Sequence, residues 1–280
     1  MVCKLSNAVR AIGSRQLKEI DVTDSVLKTA LVTGACGGIG SAIVRQLRAM
    51  DVAVYAVSNR ESELQRVAQE TGSEAICLDV SDWSSVSKAL SSLAVDALVN
   101  AAAVLGPTSK YHDATPESVQ SIVNVNIVGV ENLIRAIVPG MVARNRGHVV
   151  NFGSIAGVYP SEGQPMYSAS KAAVHLMSKN LRMELFGTDV RVSEVRPGRV
   201  QTGMHAEMFD GDHAKAEELV YVDYECLLPT DVADAVLYML CTPPRVNVTH
   251  LEILPTHQTL GGARFHSRSS NAGDGREKWR

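Results

Sequence analysis

Three features are missing from this chain, and each absence excludes a class of protein. No stretch approaches the ~18 consecutive apolar residues that a membrane-spanning helix needs, so we expect no membrane partner. The formal net charge is −3 and no basic run stands out, so we expect no nucleic-acid partner. The five cysteines are scattered without any Cys-x-x-Cys spacing, which indicates neither a zinc site nor a disulfide framework and fits a reducing compartment. We therefore expect no metal.

The composition that remains is that of a soluble globular protein with one large domain. Of the 280 residues, 45% are apolar and 20% are charged. We place the folded domain at residues 28–258, between an N-terminal extension at 1–27 and a tail at 259–280 that is rich in Gly, Ser, Arg and Asn, as disordered tails are. The first 18 residues are basic and lack acids. They fit a flexible or surface-packed arm of a cytoplasmic protein, and equally a mitochondrial transit peptide.

Short apolar runs alternate with amphipathic segments along the domain. The runs are mostly β-branched and nearly continuous in apolarity, as strands covered on both faces should be. These strand candidates are Thr29–Thr33, Val52–Val57, Ala75–Leu78, Ala97–Asn100, His148–Phe152, Val190–Val195 and His250–Leu254. The helix candidates are Ile39–Met50, Ser62–Thr71, Ser84–Ser92, Pro116–Val138 (which Pro139 should end), Tyr167–Leu185 and Asp231–Leu240. The alternation predicts an α/β fold, a single doubly wound parallel sheet of seven strands with helices on both faces.

The first strand candidate leads into a glycine-rich turn and then a helix. The turn reads Gly34-Ala35-Cys36-Gly37-Gly38-Ile39-Gly40. Glycines permit a tight turn and let a pyrophosphate approach the backbone, and the helix N-terminus adds free N–H groups and a partial positive charge. A plain glycine turn between strand and helix is the alternative. The strand before it and the helix after it favour dinucleotide binding.

Tyr167 and Lys171 are four residues apart, and Ser154 lies thirteen residues upstream of Tyr167. On a helix, positions i and i+4 share a face, so a phenol and an ammonium can touch the same ligand. We expect the ammonium to lower the pKa of the Tyr167 phenol from its ordinary value near 10, which would let it exchange a proton near neutral pH. The spacing alone also fits an ordinary helix face.

Taken together, the glycine turn and this pair resemble the classical short-chain dehydrogenases/reductases. Thr33-Gly34-x-x-x-Gly38-Ile39-Gly40 followed by Tyr167-x-x-x-Lys171 carries the resemblance, which covers about Thr29 to Thr256. It implies a Rossmann-like fold and an enzyme that transfers hydride between a nicotinamide cofactor and a carbonyl or secondary alcohol. It also implies a homo-oligomer, either a dimer or a tetramer.

The resemblance assigns four catalytic residues. It implies that Tyr167 protonates the carbonyl oxygen, that Lys171 holds the nicotinamide ribose, and that Ser154 hydrogen-bonds the carbonyl oxygen. Asn126, within Asn124-Val125-Asn126-Ile127, would support a water relay to Lys171. Two plainer readings stay open: Ser154 can be a strand-end cap, and Asn126 can be a helix polar residue that satisfies a neighbouring backbone.

The same resemblance implies a set of cofactor-binding residues spread over the strand ends. They are Gly34, Gly38, Ile39, Gly40, Ser58, Asn59, Arg60, Asp79, Val80, Asn100, Tyr167, Lys171, Pro197, Gly198, Val200 and Thr202. Two positions depart from the family pattern. Asn100-Ala101-Ala102-Ala103 replaces the usual Asn-Asn-Ala-Gly, and Arg196 is uncommon before Pro197-Gly198.

The residues after the second strand bear on the choice of cofactor. An Asp or Glu there would bind a ribose 2′-hydroxyl and repel a 2′-phosphate. Ser58 and Asn59 occupy that place, and Arg60 follows, which can pair with a phosphate. NADP(H) is therefore favoured, although Glu61 and Glu63 weaken the field and NAD(H) stays possible.

The sequence says least about the substrate, which we expect to be a small carbonyl or alcohol compound. Parts of the chain resemble carbonyl and xylulose reductases, and its end resembles 3-hydroxy-acid dehydrogenases. The segment Gly203–Tyr224 should cover the substrate, and its acids argue mildly against strongly anionic compounds unless they are solvated. We favour an NADP(H)-dependent carbonyl reductase. The alternatives are an NAD-dependent alcohol, steroid or 3-hydroxy-acid dehydrogenase, and a dinucleotide-binding module without turnover.

Overall fold

The computed structural model describes residues 27–209, 211–221 and 225–259, and the predicted N-terminal arm and C-terminal tail lie almost wholly outside them. Seven parallel strands form one sheet in the order β3-β2-β1-β4-β5-β6-β7. The strands are β1 (Thr29–Thr33), β2 (Ala53–Ser58), β3 (Glu74–Cys77), β4 (Ala97–Asn100), β5 (Gly147–Phe152), β6 (Val190–Pro197) and β7 (His250–Ile253). The predicted fold class is confirmed; β1 and β4 have their predicted bounds, and the other strands differ from the prediction by one or two residues at an end.

Helices cover both faces of the sheet. They are α1 (Gly38–Ala49), α2 (Glu61–Thr71), α3 (Trp83–Leu90), α4 (Pro116–Val123), α5 (Gly129–Ala143), α6 (Pro165–Glu184), α7 (His213–Ala216) and α8 (Pro229–Leu240). One buried cluster joins the sheet to α1 and α8, and a second joins it to α3, α5 and α6. Burial on both faces explains why most of the strands are apolar at nearly every position.

The predicted helix end at Pro139 is wrong. Proline lies inside α5, which continues to Ala143. Pro139 lacks a backbone N–H and therefore removes one hydrogen bond of the helix. Met141 is fully buried, and the backbone N–H of Arg144 bonds to the Gly140 carbonyl oxygen at 3.3 Å. These contacts hold the final turn in place beyond the proline.

The same helical run differs from the prediction in a second way. A π-helical turn, Asn124–Val128, separates α4 from α5. Within the described residues, the combined run Pro116–Ala143 is the one helix long and apolar enough to cross a membrane by length and composition. Half of its most apolar window is buried inside the fold, where Leu133 and Ile137 pack in the second core cluster. Packing against the sheet accounts for its apolar character.

The strand order places a crevice at the carboxyl ends of β1 and β4. The chain leaves β1 to pair with β2 on one side, whereas β4 pairs on the other side of β1. Loops that follow these two strands diverge, and ligands of open parallel sheets bind at such a switch point. The glycine turn after β1 and the segments after β4, β5 and β6 meet there.

Candidate active site

The glycine turn after β1 is shaped so that two of its positions accept only glycine. Gly34 has a φ of +65°, and a Cβ there would lie 2.8 Å from the Ala101 carbonyl oxygen. A Cβ on Gly40 would collide with the Gly34 carbonyl oxygen. The Gly37 N–H closes the turn on that same oxygen at 2.9 Å. Glycine is thus required at Gly34 and Gly40 because neighbouring backbone lies too close to either residue to leave room for a side chain.

The N-terminus of α1 is left open by the same turn. Its N-cap, Gly37, makes no side-chain hydrogen bond, and no acid occupies the first helical turn. The first N–H groups of the helix and its partial positive charge therefore face the crevice, and such an end suits a phosphate group. The Ala35 N–H bonds to the Val57 carbonyl oxygen at 3.1 Å, which fixes the turn against the end of β2.

Tyr167 and Lys171 lie on consecutive turns of α6, as predicted. Lys171 is 3% exposed, and its Nζ donates a 2.9 Å hydrogen bond to the Phe152 carbonyl oxygen at the end of β5. Nζ is 5.6 Å from the centre of the Tyr167 ring. A Cβ on Gly157 would lie 2.6 Å from the Lys171 carbonyl carbon, so the turn after Ser154 packs directly on α6. This packing brings Ser154 beside Tyr167.

Ser154 forms the cap after β5 that the sequence allowed as one of its two interpretations. Its Oγ accepts a 3.1 Å hydrogen bond from the Ala156 N–H and so caps the 3₁₀ turn Ile155–Gly157. Its hydroxyl also lies close enough to the Tyr167 phenol to act to lower the pKa of that group. The hydrogen bond from Ala156 fixes the Ser154 side chain on the side of the cleft where the Tyr167 phenol lies.

The electrostatics of the pair differ from the expectation. Burial raises the pKa of Tyr167 to about 12, with the Ser154 hydrogen bond acting to lower it and the charge of Glu207 to raise it. Burial also lowers the pKa of Lys171 to about 8, opposed by the charge of Glu194. Lys171 is not among the causes of the Tyr167 shift, so the expected lowering by the ammonium is not found. Desolvation decides the pKa of Tyr167. The Lys171 Nζ points to a backbone carbonyl rather than to the phenol.

Asn126 lies in the π-helical turn and is 1% exposed. Its side chain exchanges two 2.9 Å hydrogen bonds with the backbone of Val104 and donates a third, of 3.0 Å, to Ser170 Oγ. Ser170 Oγ donates onward to the Tyr167 carbonyl oxygen at 2.7 Å. Asn126 therefore ties the segment after β4 to α6, next to Tyr167 and Lys171, and π-helical turns are frequent at functional sites. These contacts agree with the simpler interpretation, in which Asn126 is a polar helix residue that satisfies a neighbouring backbone.

The remaining predicted residues fall at the strand ends in two groups. A single cleft is lined by Pro197, Gly198, Val200, Thr202 and Ile39 together with Ser154, Tyr167 and Lys171. Gly38 borders it too, because a Cβ there would lie 3.0 Å from Thr202 Cγ2. Ser58, Asn59, Arg60, Asp79, Val80 and Asn100 lie outside that lining.

Several of these outer residues already have protein partners. Arg60 is half exposed and forms a 2.6 Å ion pair with Glu63. Asp79 is exposed and accepts two 2.8 Å hydrogen bonds from Ser81. Asn100 is buried and donates to Asn151 at 2.8 Å, and its Oδ1 has no partner within the part of the chain that the structure describes.

Comparison with known proteins places the chain in a family. The model of the short chain dehydrogenase family matches residues 28–213. The chain belongs to the short-chain dehydrogenase family. The resemblance inferred from its motifs is thereby confirmed, as is the expectation of an oxidoreductase that acts on CH–OH groups.

Relatives and solved structures narrow the comparison within the family. The NADP-dependent 3-hydroxy acid dehydrogenases YdfG of Shigella flexneri and Escherichia coli strain K12 are 37% identical over 244 residues, 84% of this chain and 98% of each relative. The closed form of serine dehydrogenase complexed with NADP+ superposes with a TM-score of 0.80 at 36% identity, covering 86% of this chain and all of that one. Levodione reductase, at 23% identity and a TM-score of 0.73, shares the fold.

Two residues of the site make contacts that reading the sequence did not assign: Tyr221 was not singled out, and Glu207 was expected only as one of the acids in the segment Gly203–Tyr224. The Tyr221 hydroxyl donates to the Thr202 carbonyl oxygen at 2.7 Å and lies 2.6 Å from His205 Nδ1. Burial lowers the pKa of His205 to about 4, so this ring is neutral at pH 7. The second is Glu207, whose Oε2 accepts hydrogen bonds from the backbone of Leu105 and Gly106 at 2.7 and 3.1 Å. No local motif marks either residue, because their partners are distant in the chain.

Proposed function

We propose that this short-chain oxidoreductase is an NADP(H)-dependent carbonyl reductase that converts a carbonyl compound to a secondary alcohol. The observation that carries the proposal is the convergence of Ser154, Tyr167 and Lys171 on one cleft, beside the open N-terminus of α1. Ser154 and Lys171 are buried there and Tyr167 is half-buried, and all three border the cleft at the carboxyl ends of the strands. We further propose residues 28–258 as the catalytic domain, which the family match and the position of β7 support.

The residues present fit a dinucleotide. Gly34 and Gly40 leave a cradle that any Cβ would fill, and the first turn of α1 presents uncapped N–H groups to a pyrophosphate. The residues that would hold the cofactor are Gly34, Gly38, Ile39, Gly40, Ser58, Asn59, Arg60, Asp79, Val80, Asn100, Tyr167, Lys171, Pro197, Gly198, Val200 and Thr202. When bound, the nicotinamide supplies the hydride for the carbonyl carbon.

The chain supplies the proton and the polarisation. Tyr167, protonated at neutral pH because its pKa is about 12, donates its proton to the carbonyl oxygen as negative charge develops there. Ser154 donates a hydrogen bond to the same oxygen from a position fixed by its cap on Ala156. Lys171 would hold the nicotinamide ribose through its ammonium group. Asn126 positions the Ser170 and Lys171 turn of α6, and a water relay through it stays part of the proposal.

The choice of NADP(H) rests on the end of β2. Ser58 and Asn59 replace the acid that would repel a 2′-phosphate, and Arg60 lies beside them. Arg60 pairs with Glu63 at 2.6 Å, so a phosphate would have to share or displace that partner. The names of the YdfG relatives and the NADP+ in the serine dehydrogenase complex support the same cofactor.

A second candidate function is the dehydrogenation of a 3-hydroxy acid, favoured by the names of the relatives at 37% identity. An activity screen of the purified full chain distinguishes the two. NADPH oxidation would be followed with diketones and simple ketones, and NADP+ reduction with 3-hydroxy acids and secondary alcohols, each repeated with the NAD form. We expect the highest kcat/KM with NADPH and an uncharged carbonyl compound. A preference for hydroxy acids would support the second function, and cofactor binding without turnover would support a binding module.

We also propose that the protein is cytoplasmic and forms a homo-oligomer, a dimer or a tetramer. The bacterial relatives support the location, and nothing in the comparisons supports a mitochondrial one. The outer face of α6 supports the assembly, because it exposes Leu176, Met183 and, just beyond its end, Phe186, which is 93% exposed. Large apolar side chains in such a row are typical of protein interfaces.

A further inference from the structure

His205 lines the same cleft as Tyr167. It belongs to the 3₁₀ turn Gly203–Phe209, which follows β6. Its Nδ1 lies 2.6 Å from the hydroxyl oxygen of Tyr221, and the two rings meet edge to face with their centres 5.4 Å apart. Tyr221 is buried at the end of the π-helical turn Glu217–Tyr221. The imidazole is therefore held on one side by a buried phenol and borders the cleft.

The hydrogen bonds of the Tyr221 hydroxyl determine which nitrogen of His205 carries the proton. Burial raises the pKa of Tyr221, so the hydroxyl keeps its single proton at pH 7. The Thr202 carbonyl oxygen, at 2.7 Å, can only accept, and it therefore takes that proton. The hydroxyl oxygen accepts from the Thr202 N–H at 3.2 Å and has a second lone pair for a hydrogen on Nδ1. The proton of the neutral ring is thus on Nδ1, and Nε2 is an acceptor.

The acceptor nitrogen, Nε2, has no hydrogen-bond partner among the residues that the structure describes. It is not one of the buried polar atoms that lack a partner, so it is accessible. Burial lowers the pKa of His205 to about 4, and the positive charge of Arg199 acts in the same direction, so the ring is neutral at pH 7. A neutral imidazole whose Nδ1 is already bound presents one lone pair, and that lone pair can bind only a hydrogen-bond donor.

The charge beside His205 favours an uncharged donor. Arg199 lines the cleft and lies close enough to His205 for its charge to lower the pKa of the imidazole. The same charge would repel an ammonium group on a substrate. A carboxylate or an ether oxygen has no proton to donate to Nε2. A hydroxyl group meets both conditions, because it is uncharged and carries a proton.

We propose that His205 is a specificity-determining residue whose Nε2 accepts a hydrogen bond from a hydroxyl group of the carbonyl substrate. The substrate class is then hydroxyketones rather than plain ketones. This inference rests on the proposed function and narrows it. A hydrogen bond between neutral groups changes relative affinity about three- to tenfold, so the effect of the hydroxyl should be measurable in kcat/KM.

The test compares 4-hydroxy-2-butanone with 2-pentanone, in which a methyl group replaces the hydroxyl, using NADPH and the purified full chain. Hydroxyacetone and butanone repeat the comparison at a shorter spacing. The matching methoxyketones keep the electron-withdrawing oxygen but have no proton to donate. For the wild type, we expect kcat/KM for the hydroxyketone to exceed that for both analogues about three- to tenfold at one spacing or both.

Two substitutions of His205 separate the acceptor at Nε2 from the contact with Tyr221. His205→Asn keeps an amide nitrogen near the position of Nδ1 but has no atom at the position of Nε2. It should remove the preference for the hydroxyl and leave KM for NADPH unchanged. His205→Gln extends an amide oxygen toward the position of Nε2 and should retain part of the preference. The matched control is His213→Asn, at an exposed histidine of α7 outside the cleft lining, which should keep the wild-type preference.

The outcomes distinguish the inference from the function on which it rests. Wild-type protein that reduces the hydroxyketones no better than both kinds of analogue would overturn the assignment of His205 and leave a carbonyl reductase in place. The wild-type preference in His205→Asn would do the same, and a raised KM for NADPH beside that preference would assign the acceptor to the cofactor. Wild-type protein that reduces none of these ketones, nor any carbonyl compound of the screen, would overturn the proposed function and the inference with it.

Discussion

The ammonium group of Lys171 donates a 2.9 Å hydrogen bond to the carbonyl oxygen of Phe152, the last residue of β5. This contact fixes Nζ at the end of the strand, 5.6 Å from the centre of the Tyr167 ring. Lys171 is thus held at the strand end, and its ammonium makes no direct bond to the phenol. The relationship explains why burial decides the pKa of Tyr167.

Tyr167→Phe should abolish turnover without abolishing cofactor binding. Loss of a positioned general acid typically costs on the order of 10²- to 10⁴-fold in kcat. The substitution removes one hydroxyl and leaves the ring in its place, so the affinity for NADPH, measured by fluorescence titration, should change little. Tyr238→Phe, at an exposed tyrosine of α8, is the control and should keep full activity. Turnover by Tyr167→Phe at the wild-type rate would remove Tyr167 from the mechanism.

Gly40→Ala should disrupt the glycine turn that we propose as the pyrophosphate site. The added Cβ would collide with the Gly34 carbonyl oxygen, which is backbone and cannot move aside cheaply. We expect at least a tenfold loss of NADPH affinity and a lower free energy of unfolding in urea titrations. In the control, Gly140→Ala, the Cβ meets only the end of the Arg144 side chain, at 3.2 Å. Alanine favours a helix by up to about 1 kcal/mol over glycine, so this variant should be neutral or more stable.

Arg60→Ala should raise KM for NADPH about tenfold or more and leave KM for NADH unchanged. A charge-assisted hydrogen bond to the 2′-phosphate is worth about 1.5–3 kcal/mol, and NADH has no such group. Glu63→Gln should have the opposite effect, because it removes the ion-pair partner of Arg60. Arg66→Ala, at an exposed arginine of α2 that pairs with Glu70, is the matched control. Equal losses with both cofactors would argue against Arg60 as a phosphate ligand.

Glu194→Gln should shift the alkaline limb of activity to lower pH. Lys171 has a pKa of about 8, below the ordinary value, and the Glu194 carboxylate is the charge that opposes this lowering. Above that pH the free protein loses the ammonium that would hold the ribose, so kcat/KM for NADPH should decline. Without the carboxylate, the pKa of Lys171 falls further, so the decline in kcat/KM begins at a lower pH. The pH dependence of kcat/KM measures the shift.

Two features separate this effect from simple destabilisation. Glu194 is buried and pairs with Arg196 at 2.8 Å, so the substitution should also lower the free energy of unfolding. A lower stability alone would reduce activity by the same factor at every pH. It would leave the inflection in the pH dependence of kcat/KM at the wild-type pH. Glu184→Gln, at an exposed acid of α6, should change neither quantity.

Met183→Glu and Phe186→Ser should weaken self-association. Both side chains lie at the exposed end of α6, Met183 71% and Phe186 93% exposed, where a charge or a small polar group would disfavour an apolar interface. Light scattering coupled to size-exclusion chromatography should show a dimer or tetramer for the wild type and smaller species for the variants. Met50→Glu, at an exposed methionine that follows α1, should leave the mass unchanged. A monomeric wild type would contradict the proposed assembly.

The sequence by itself determined the order of the elements and the family to which the chain belongs. Continuous β-branched runs predict strands buried on both faces, and Gly34 and Gly40 predict close backbone approach, because each signal depends on chemistry local to the chain. The spacing of Tyr167 and Lys171 is also a local signal, because two residues that are four positions apart on a helix lie on the same face.

Tertiary structure alone decided the charges and partners around those groups. The pKa of Tyr167 depends on burial, on Ser154 and on Glu207, which lies forty residues away in the chain. Asn126 reaches Val104 and Ser170 only because the π-helical turn packs against α6, and Pro139 stays helical only because Met141 is buried beyond it. Desolvation and long-range contacts arise when distant segments meet in the fold, so no window of sequence carries them.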